Sequence, residues 1–214
     1  MRQQLYSIRI TGRLSVFIAA SALLITATTA SAGRFLQQTI GEPSRIGGRK
    51  ITGPKISIPD FIVVNQDGKR LRLYTDLIKD KTVVLSFFYT SCDGVCPSVS
   101  YSLSNAQAEM AEGIGKDIFF VSISLDPETD KPDALKQWAL KWQARQGWDF
   151  VTGKKDEMDQ VIRQFTGGSA GRSTHGAVVF VGDDKKSPGI WLGMGPLVPP
   201  KVLVERIKSI RQYM

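Results

Sequence analysis

The chain has 214 residues, of which 42% are hydrophobic and 22% are charged, and these values fit one globular domain with a short additional segment. They exclude a disordered chain and a protein with many membrane spans. The formal net charge of +8 comes without a platform of basic and aromatic residues, so no nucleic-acid partner is expected, and two cysteines with one histidine exclude a disulfide-stapled scaffold.

The N-terminal residues 1–32 have the features of an export signal. Three arginines and an apolar stretch, Leu14–Ala27, precede the small residues Ala30-Ser31-Ala32, which are typical of a cleavage site. An uncleaved membrane anchor is the alternative, because the apolar segment is nearly long enough to cross a bilayer. Both interpretations place the rest of the chain outside the cytoplasm. Residues 33–57 are predicted to form a flexible linker, and residues 58–214 the folded domain.

The folded domain is predicted to begin with a hairpin over Asp60–Tyr74, around the turn signal Asn65-Gln66-Asp67-Gly68. Thr82–Tyr89 and Ile118–Leu125 are nearly continuous apolar runs, typical of strands covered on both faces. Helices are predicted at 97–110, 133–146, 156–165 and 200–214, and further strands at 177–181 and 189–192 around a turn at 182–184. This order predicts an α/β fold with a central mixed sheet flanked by helices, parallel at its centre and antiparallel at its edges.

The two cysteines lie between a buried strand and a helix, in Cys92-Asp93-Gly94-Val95-Cys96-Pro97. If one helical turn carries both, their separation places the two sulfurs on one face. A helix N-terminus also favours the thiolate form of a cysteine over the thiol form. The thiolate is both the better nucleophile and the better metal ligand. Outside the cytoplasm such a pair must be bridged, bound to a metal or kept reduced. The pair alone leaves open a structural disulfide, a dithiol redox centre and a metal site.

His175, the single histidine, follows the glycine-rich segment 167–171 and precedes a predicted strand. Thiolates select soft ions such as Cu(I), and imidazole suits both Cu(I) and Cu(II), so two cysteines and one histidine would form a three-ligand copper site. Met194 is a candidate auxiliary ligand, although an apolar turn residue is the simpler interpretation. Asp126 and Asp130 are interpreted as turn and helix-capping groups in a loop near the cysteine pair.

Three segments, in the same order and at comparable separations, resemble the Sco/SenC family of copper proteins. They are Tyr89–Pro97, Val121–Pro132 and Phe150–Gly153, followed by His175 before a strand. The resemblance implies a thioredoxin-like fold and export to the periplasm or intermembrane space, with membrane attachment common in the family. For this chain the expected location is the periplasm or the outer face of the inner membrane. It implies copper bound by Cys92, Cys96 and His175. It also implies a role in assembling the dinuclear copper centre of cytochrome c oxidase. In that role the protein would act as copper donor, as thiol reductant, or both, and its partner would be the copper-receiving subunit.

The leading interpretation is a copper metallochaperone, which does not turn over a substrate. Two enzyme interpretations are the alternatives. One is a periplasmic thiol-disulfide oxidoreductase that uses Cys92 and Cys96 as the exchanging pair. The three residues between these cysteines argue against it, because the usual redox pair in this fold has two. The other is a peroxide-reducing enzyme, which would form a sulfenic acid at one cysteine.

Overall fold

The structure, a computed structural model, describes residues 56–168, 179–185, 189–195 and 197–212. Its strands are β1 (Ile62–Asn65), β2 (Arg70–Arg72), β3 (Thr82–Phe88), β4 (Ile118–Ser124), β5 (Trp148–Thr152), β6 (Val179–Asp183) and β7 (Ile190–Met194). Its helices are α1 (Leu73–Leu77), α2 (Val95–Glu109), α3 (Pro132–Lys141), α4 (Lys155–Thr166) and α5 (Pro200–Gln212). Within the described residues, no helix is long and apolar enough to cross a bilayer. The predicted export segment lies outside those residues.

The seven strands form one mixed sheet in the order β2-β1-β5-β4-β3-β6-β7. The neighbours β3, β4 and β5 are parallel, whereas every other pairing is antiparallel, which confirms the predicted parallel centre with antiparallel edges. Parallel strands end at the same edge of a sheet. The loops that follow Phe88, Ser124 and Thr152 therefore meet at one edge. Cys92 lies in the first of these loops, and Cys96 lies in the helix that follows it.

Helices cover both faces of the sheet, because side chains of the central strands alternate between two hydrophobic layers. Val84 and Phe88 of β3 belong to the layer that also contains apolar side chains of α2, α3 and α5. Val83, Leu85 and Phe87 belong to the opposite layer, with side chains of α1 and α4. β3 is buried along its whole length, as its continuous apolar run predicts.

The structure confirms the N-terminal hairpin, whose strands β1 and β2 pair on either side of the predicted turn, but it differs from the prediction in three other respects. The helix predicted at 133–146 ends at Lys141, because Gln143 has a φ of 52°, a left-handed conformation that helices do not continue through. The turn predicted at 182–184 is wrong for its first two residues, since Gly182 and Asp183 pair with β7. Gly182 is small for a packing reason: a Cβ there would lie 2.4 Å from the Trp191 ring. Strand β5 was not among the predicted elements.

Asp60, just before β1, caps α1 from another part of the chain. Its carboxylate accepts hydrogen bonds from the backbone N–H groups of Tyr74 and Thr75 at 3.0 Å each, and from the Thr75 hydroxyl at 2.6 Å. The Arg72 guanidinium also donates to it at 2.9 Å. Burial opposes ionisation, but these bonds outweigh it and lower the pKa of Asp60 from 3.8 to about 2.

Replacing Asp60 with asparagine is expected to lower the free energy of unfolding at neutral pH by about 1 to 2 kcal/mol, because the neutral amide loses the charge-assisted hydrogen bonds from Thr75 and Arg72. A carboxyl whose pKa is depressed in the folded state contributes stability above its ordinary pKa of 3.8, and this contribution disappears as the pH falls toward 2. The difference between wild type and Asp60→Asn in urea unfolding should therefore shrink in acid. Glu112→Gln, at an exposed carboxylate, is the control. A difference that stays constant with pH would refute this account.

Candidate dithiol and metal site

A turn after β3 and the first turn of α2 bring the two cysteines together. The Cys92 N–H donates to the Tyr89 carbonyl at 3.2 Å, which closes the turn. Because α2 begins at Val95, Cys96 lies in its first turn but Cys92 precedes it. The expectation that one helical turn carries both sulfurs is therefore wrong for Cys92. The two thiols nevertheless hydrogen-bond to each other. Pro97 occupies the first turn of the helix, as predicted.

Both cysteines are buried and free. Cys92 retains 7% of its surface and Cys96 only 1%, so Cys92 is the more accessible of the two. They belong to the hydrophobic layer between the sheet and α2, against which Tyr89 and Val95 are also packed. Apolar surroundings exclude water from the sulfurs and suit a site that holds a soft ion or protects a reactive thiol.

The environment separates the acidities of the two thiols. Burial raises the pKa of Cys92, but hydrogen bonds from the Cys96 thiol, from the N–H groups of Cys96 and Gly94 and from Tyr89 outweigh it and lower the pKa below its ordinary value. Burial also raises the pKa of Cys96, and with the negative charge of the neighbouring Cys92 it brings that pKa to about 12. The first proton therefore leaves Cys92, and Cys96 keeps its own as the donor to that thiolate.

The interpretation of Asp130 as a helix cap is wrong, because the N-cap of α3 is Lys131 and no side chain caps that end. Asp130 is instead a fully buried carboxylate that hydrogen-bonds to Thr90, in the cysteine loop, and to Ser124, at the end of β4. Asp126 does close a turn, because its carbonyl accepts the Asp130 N–H at 2.8 Å. The loop after β4 thus contacts the cysteine loop, as predicted.

His175, the predicted third ligand, lies outside the described residues. Among the residues that the structure does describe, no group of three or more His, Cys, Asp or Glu side chains is placed to hold a metal ion. Met194 ends β7, where it pairs with Val179 and packs against the hydrophobic layer that contains the cysteines. It is therefore a strand residue, which corrects its assignment to a turn and agrees with an apolar role.

The described part of the site fits a soft metal ion. Two thiols in contact, shielded by apolar side chains and differing in acidity, are the donor type that Cu(I) prefers. The same two thiols also form a dithiol that a disulfide-bonded partner can oxidise. The geometry of Cys92 and Cys96 is therefore compatible with both metal binding and thiol exchange.

Comparison with known proteins decides the family. The SCO1/SenC family profile matches residues 49–182, more than half of the chain. The chain belongs to the SCO1/SenC family. It is 34% identical to the SCO1 protein homolog of Bacillus subtilis over 110 residues, which are 50% of this chain and 55% of the relative. It is 27% identical to Protein SCO1 homolog 1, mitochondrial, of Arabidopsis thaliana over 126 residues, 59% of this chain and 35% of that protein. The chain thus spans about half or less of the length of these relatives.

Solved structures of the SCO1/SenC family share the fold. BsSco, a member of the Sco family of cytochrome c oxidase assembly proteins in which a disulfide switch was identified, matches with a TM-score of 0.63 at 24% identity, over 78% of this chain and all 100% of its own. Yeast Sco1 with copper bound matches with a TM-score of 0.62 at 17% identity, over 76% of this chain and 96% of its own. The predicted thioredoxin-like fold is therefore confirmed.

Proposed function

We propose that this SCO1/SenC protein binds copper through Cys92, Cys96 and His175 and serves in the assembly of cytochrome c oxidase. It would deliver copper to the dinuclear copper centre or reduce the cysteines of that centre, with the copper-receiving subunit as partner. The observation that carries the proposal is the pair of buried, hydrogen-bonded thiols at the sheet edge where the parallel strands end. Family membership, a cytochrome c oxidase assembly protein and copper-bound Sco structures among the matches support it.

The strand order supports His175 as the third ligand. The chain enters β6 at Val179, which pairs with Ser86 near the end of β3, and β6 is antiparallel to β3. Val179, the first described residue after His175 in the chain, therefore lies toward the sheet edge that the cysteine loop leaves. An imidazole added to two thiolates completes a three-ligand set suited to copper.

Copper is cargo in this proposal, and when bound it supplies a soft cation that the partner can accept. Cys92 and Cys96 hold it as thiolates, so binding displaces the proton that Cys96 retains at neutral pH. In the reductant role, Cys92 attacks one sulfur of a partner disulfide and Cys96 then displaces the partner. The partner gains two electrons and two protons, and this chain is left with a Cys92–Cys96 disulfide.

The proposed location is outside the cytoplasm, in the periplasm or at the outer face of the inner membrane. Residues 1–32 would direct export, as a cleaved signal or a retained anchor, residues 33–57 would form the linker, and residues 58–214 the copper-binding domain. A matching solved structure, at 24% identity, is a SCO1/SenC family lipoprotein from Bacillus anthracis, which supports attachment to a membrane.

Anaerobic titration of the reduced protein with Cu(I), against a competing chelator, tests the proposed function. We expect one ion per protein and an affinity reduced about tenfold by His175→Ala, because an imidazole ligand is lost. Met194→Leu is the matched control and should leave the affinity unchanged, since Met194 packs as an apolar side chain. Absence of copper binding, with reductase activity that His175→Ala leaves intact, would favour the thiol-disulfide oxidoreductase instead.

A further inference from the structure

Asp130 is a buried carboxylate held by uncharged donors. Its side chain is 0% exposed. Oδ1 accepts the Thr90 N–H at 3.1 Å and the Thr90 hydroxyl at 2.5 Å, while Oδ2 accepts the Ser124 hydroxyl at 2.6 Å. None of the ion pairs within the described residues includes Asp130. A buried carboxyl group requires hydrogen-bond partners, and Thr90 and Ser124 supply them.

These bonds fix the turn that carries Cys92. Thr90 is the second residue of the turn that the Cys92 N–H closes on the Tyr89 carbonyl. The Leu125 N–H also donates to the Phe88 carbonyl at 2.7 Å, so the loop after β4 is bonded both to the last residue of β3 and, through Asp130, to Thr90 in the cysteine loop. Because Cys92 lies outside α2, the helix does not set its position. The turn, and the carboxylate that anchors it, must do so.

We propose that Asp130 is a positioning residue that sets Cys92 against Cys96. The inference deepens the proposed function and rests on it, because the same placement serves copper binding and formation of the Cys92–Cys96 disulfide. Two sulfur atoms that are already held close together lose little conformational entropy when a metal ion or a disulfide bond joins them. Without the Asp130 anchor, the Cys92 turn samples more conformations and the effective concentration of one sulfur near the other falls.

A purely electrostatic role for Asp130 predicts a different pattern. A buried negative charge near thiolates disfavours their ionisation, so removing the charge would strengthen metal binding. Thr90→Val keeps the charge and removes one of the hydrogen bonds that anchor the turn. A positioning role therefore predicts that the Cu(I) affinity falls equally in Asp130→Asn and Thr90→Val. A purely electrostatic role predicts that the affinity rises in Asp130→Asn and is unchanged in Thr90→Val.

The test measures the dithiol–disulfide equilibrium of the metal-free full chain against glutathione, by trapping thiols at a series of reduced-to-oxidised ratios. We expect the equilibrium constant for Cys92–Cys96 disulfide formation to fall about tenfold in Asp130→Asn and in Thr90→Val, with a parallel loss of Cu(I) affinity. Thr90→Ser, which keeps the hydroxyl donor, should retain both within about twofold of wild type. Asp183→Asn, at a carboxylate that is only 2% exposed and lies in β6, is the control for burial.

Wild-type equilibria in both Asp130→Asn and Thr90→Val, or an effect of Asp183→Asn as large as theirs, would overturn the proposal. If Asp130→Asn does not fold, the contrast between Thr90→Val and Thr90→Ser decides the matter alone. A wild-type chain that binds no copper would refute the proposed function, and the glutathione equilibrium would still report whether Asp130 positions Cys92.

Discussion

At neutral pH, Cys92 is expected to react with a small disulfide or alkylating reagent at least about a hundredfold faster than Cys96. The thiolate is the reactive form, and a pKa of about 12 leaves almost none of it on Cys96, whereas hydrogen bonds hold the pKa of Cys92 below 9.0. A thiolate of lower pKa is intrinsically less nucleophilic, which offsets part of this advantage. Burial adds to the difference, since Cys96 is 1% exposed.

The single-cysteine variants Cys96→Ser and Cys92→Ser measure this difference. In Cys96→Ser the serine hydroxyl can replace the thiol as hydrogen-bond donor, so Cys92 should stay reactive. In Cys92→Ser the main cause of the high pKa of Cys96, its burial, remains. Alkylation rates are followed across pH, where the Cys92 rate should level off below pH 9 while the Cys96 rate continues to rise. Rates in denaturant should be equal, and similar rates in the folded protein would refute the assignment.

The asymmetry assigns separate roles to the two sulfurs in both forms of the proposed function. A partner meets Cys92 first, because Cys92 is the more exposed and the more readily ionised of the pair. In thiol exchange, Cys92 forms the mixed disulfide and Cys96 resolves it. In copper transfer, Cys92 is the ligand that an incoming donor can replace, while Cys96 holds the ion from inside.

The central strands were predictable because their apolar sequence follows directly from their burial on both faces of the sheet. Thr82–Phe88 is apolar at nearly every position since helices cover both faces of β3. Strand β5 escaped prediction because it has five residues and one of them is charged. Asp149 is accommodated by a hydrogen bond from the Asn65 side chain at 2.8 Å, a partner 84 residues away that no local pattern reveals.

In the site, too, contacts between residues close in sequence were predictable, whereas contacts between residues distant in sequence were not. The spacing of Cys92 and Cys96 predicted their contact, although a turn rather than a helix produces it. The anchoring of the cysteine loop by Asp130 was not predicted, because Thr90 lies 40 residues earlier in the chain. A usable signal existed, since hydroxyl and carboxyl residues follow two strands that end at the same sheet edge. His175 as the third ligand stays a prediction.

Gly147 lies where the chain enters β5 against the backbone of another loop. Its φ is 89°, and a Cβ there would lie 2.4 Å from the Gly115 nitrogen and 2.6 Å from the Gly115 Cα. The Gly147 carbonyl also accepts the Phe120 N–H at 2.7 Å, which fixes the start of β5 beside β4. The next residue, Trp148, is 1% exposed. A side chain at Gly147 must therefore displace backbone next to one of the largest core residues.

Gly147→Ala is expected to lower the free energy of unfolding by about 4 kcal/mol or more, because overpacking against backbone adds to the cost of an unfavourable φ. Gly68→Ala is the matched control: Gly68 has a φ of 74°, but no atom lies within 4 Å of its Cβ position. That variant should lose only about 1 kcal/mol. Denaturant unfolding of the reduced proteins measures both, and equal losses would refute the steric account. Because β5 pairs with β4, which ends at Ser124, partial unfolding here should also weaken the anchor of the cysteine loop.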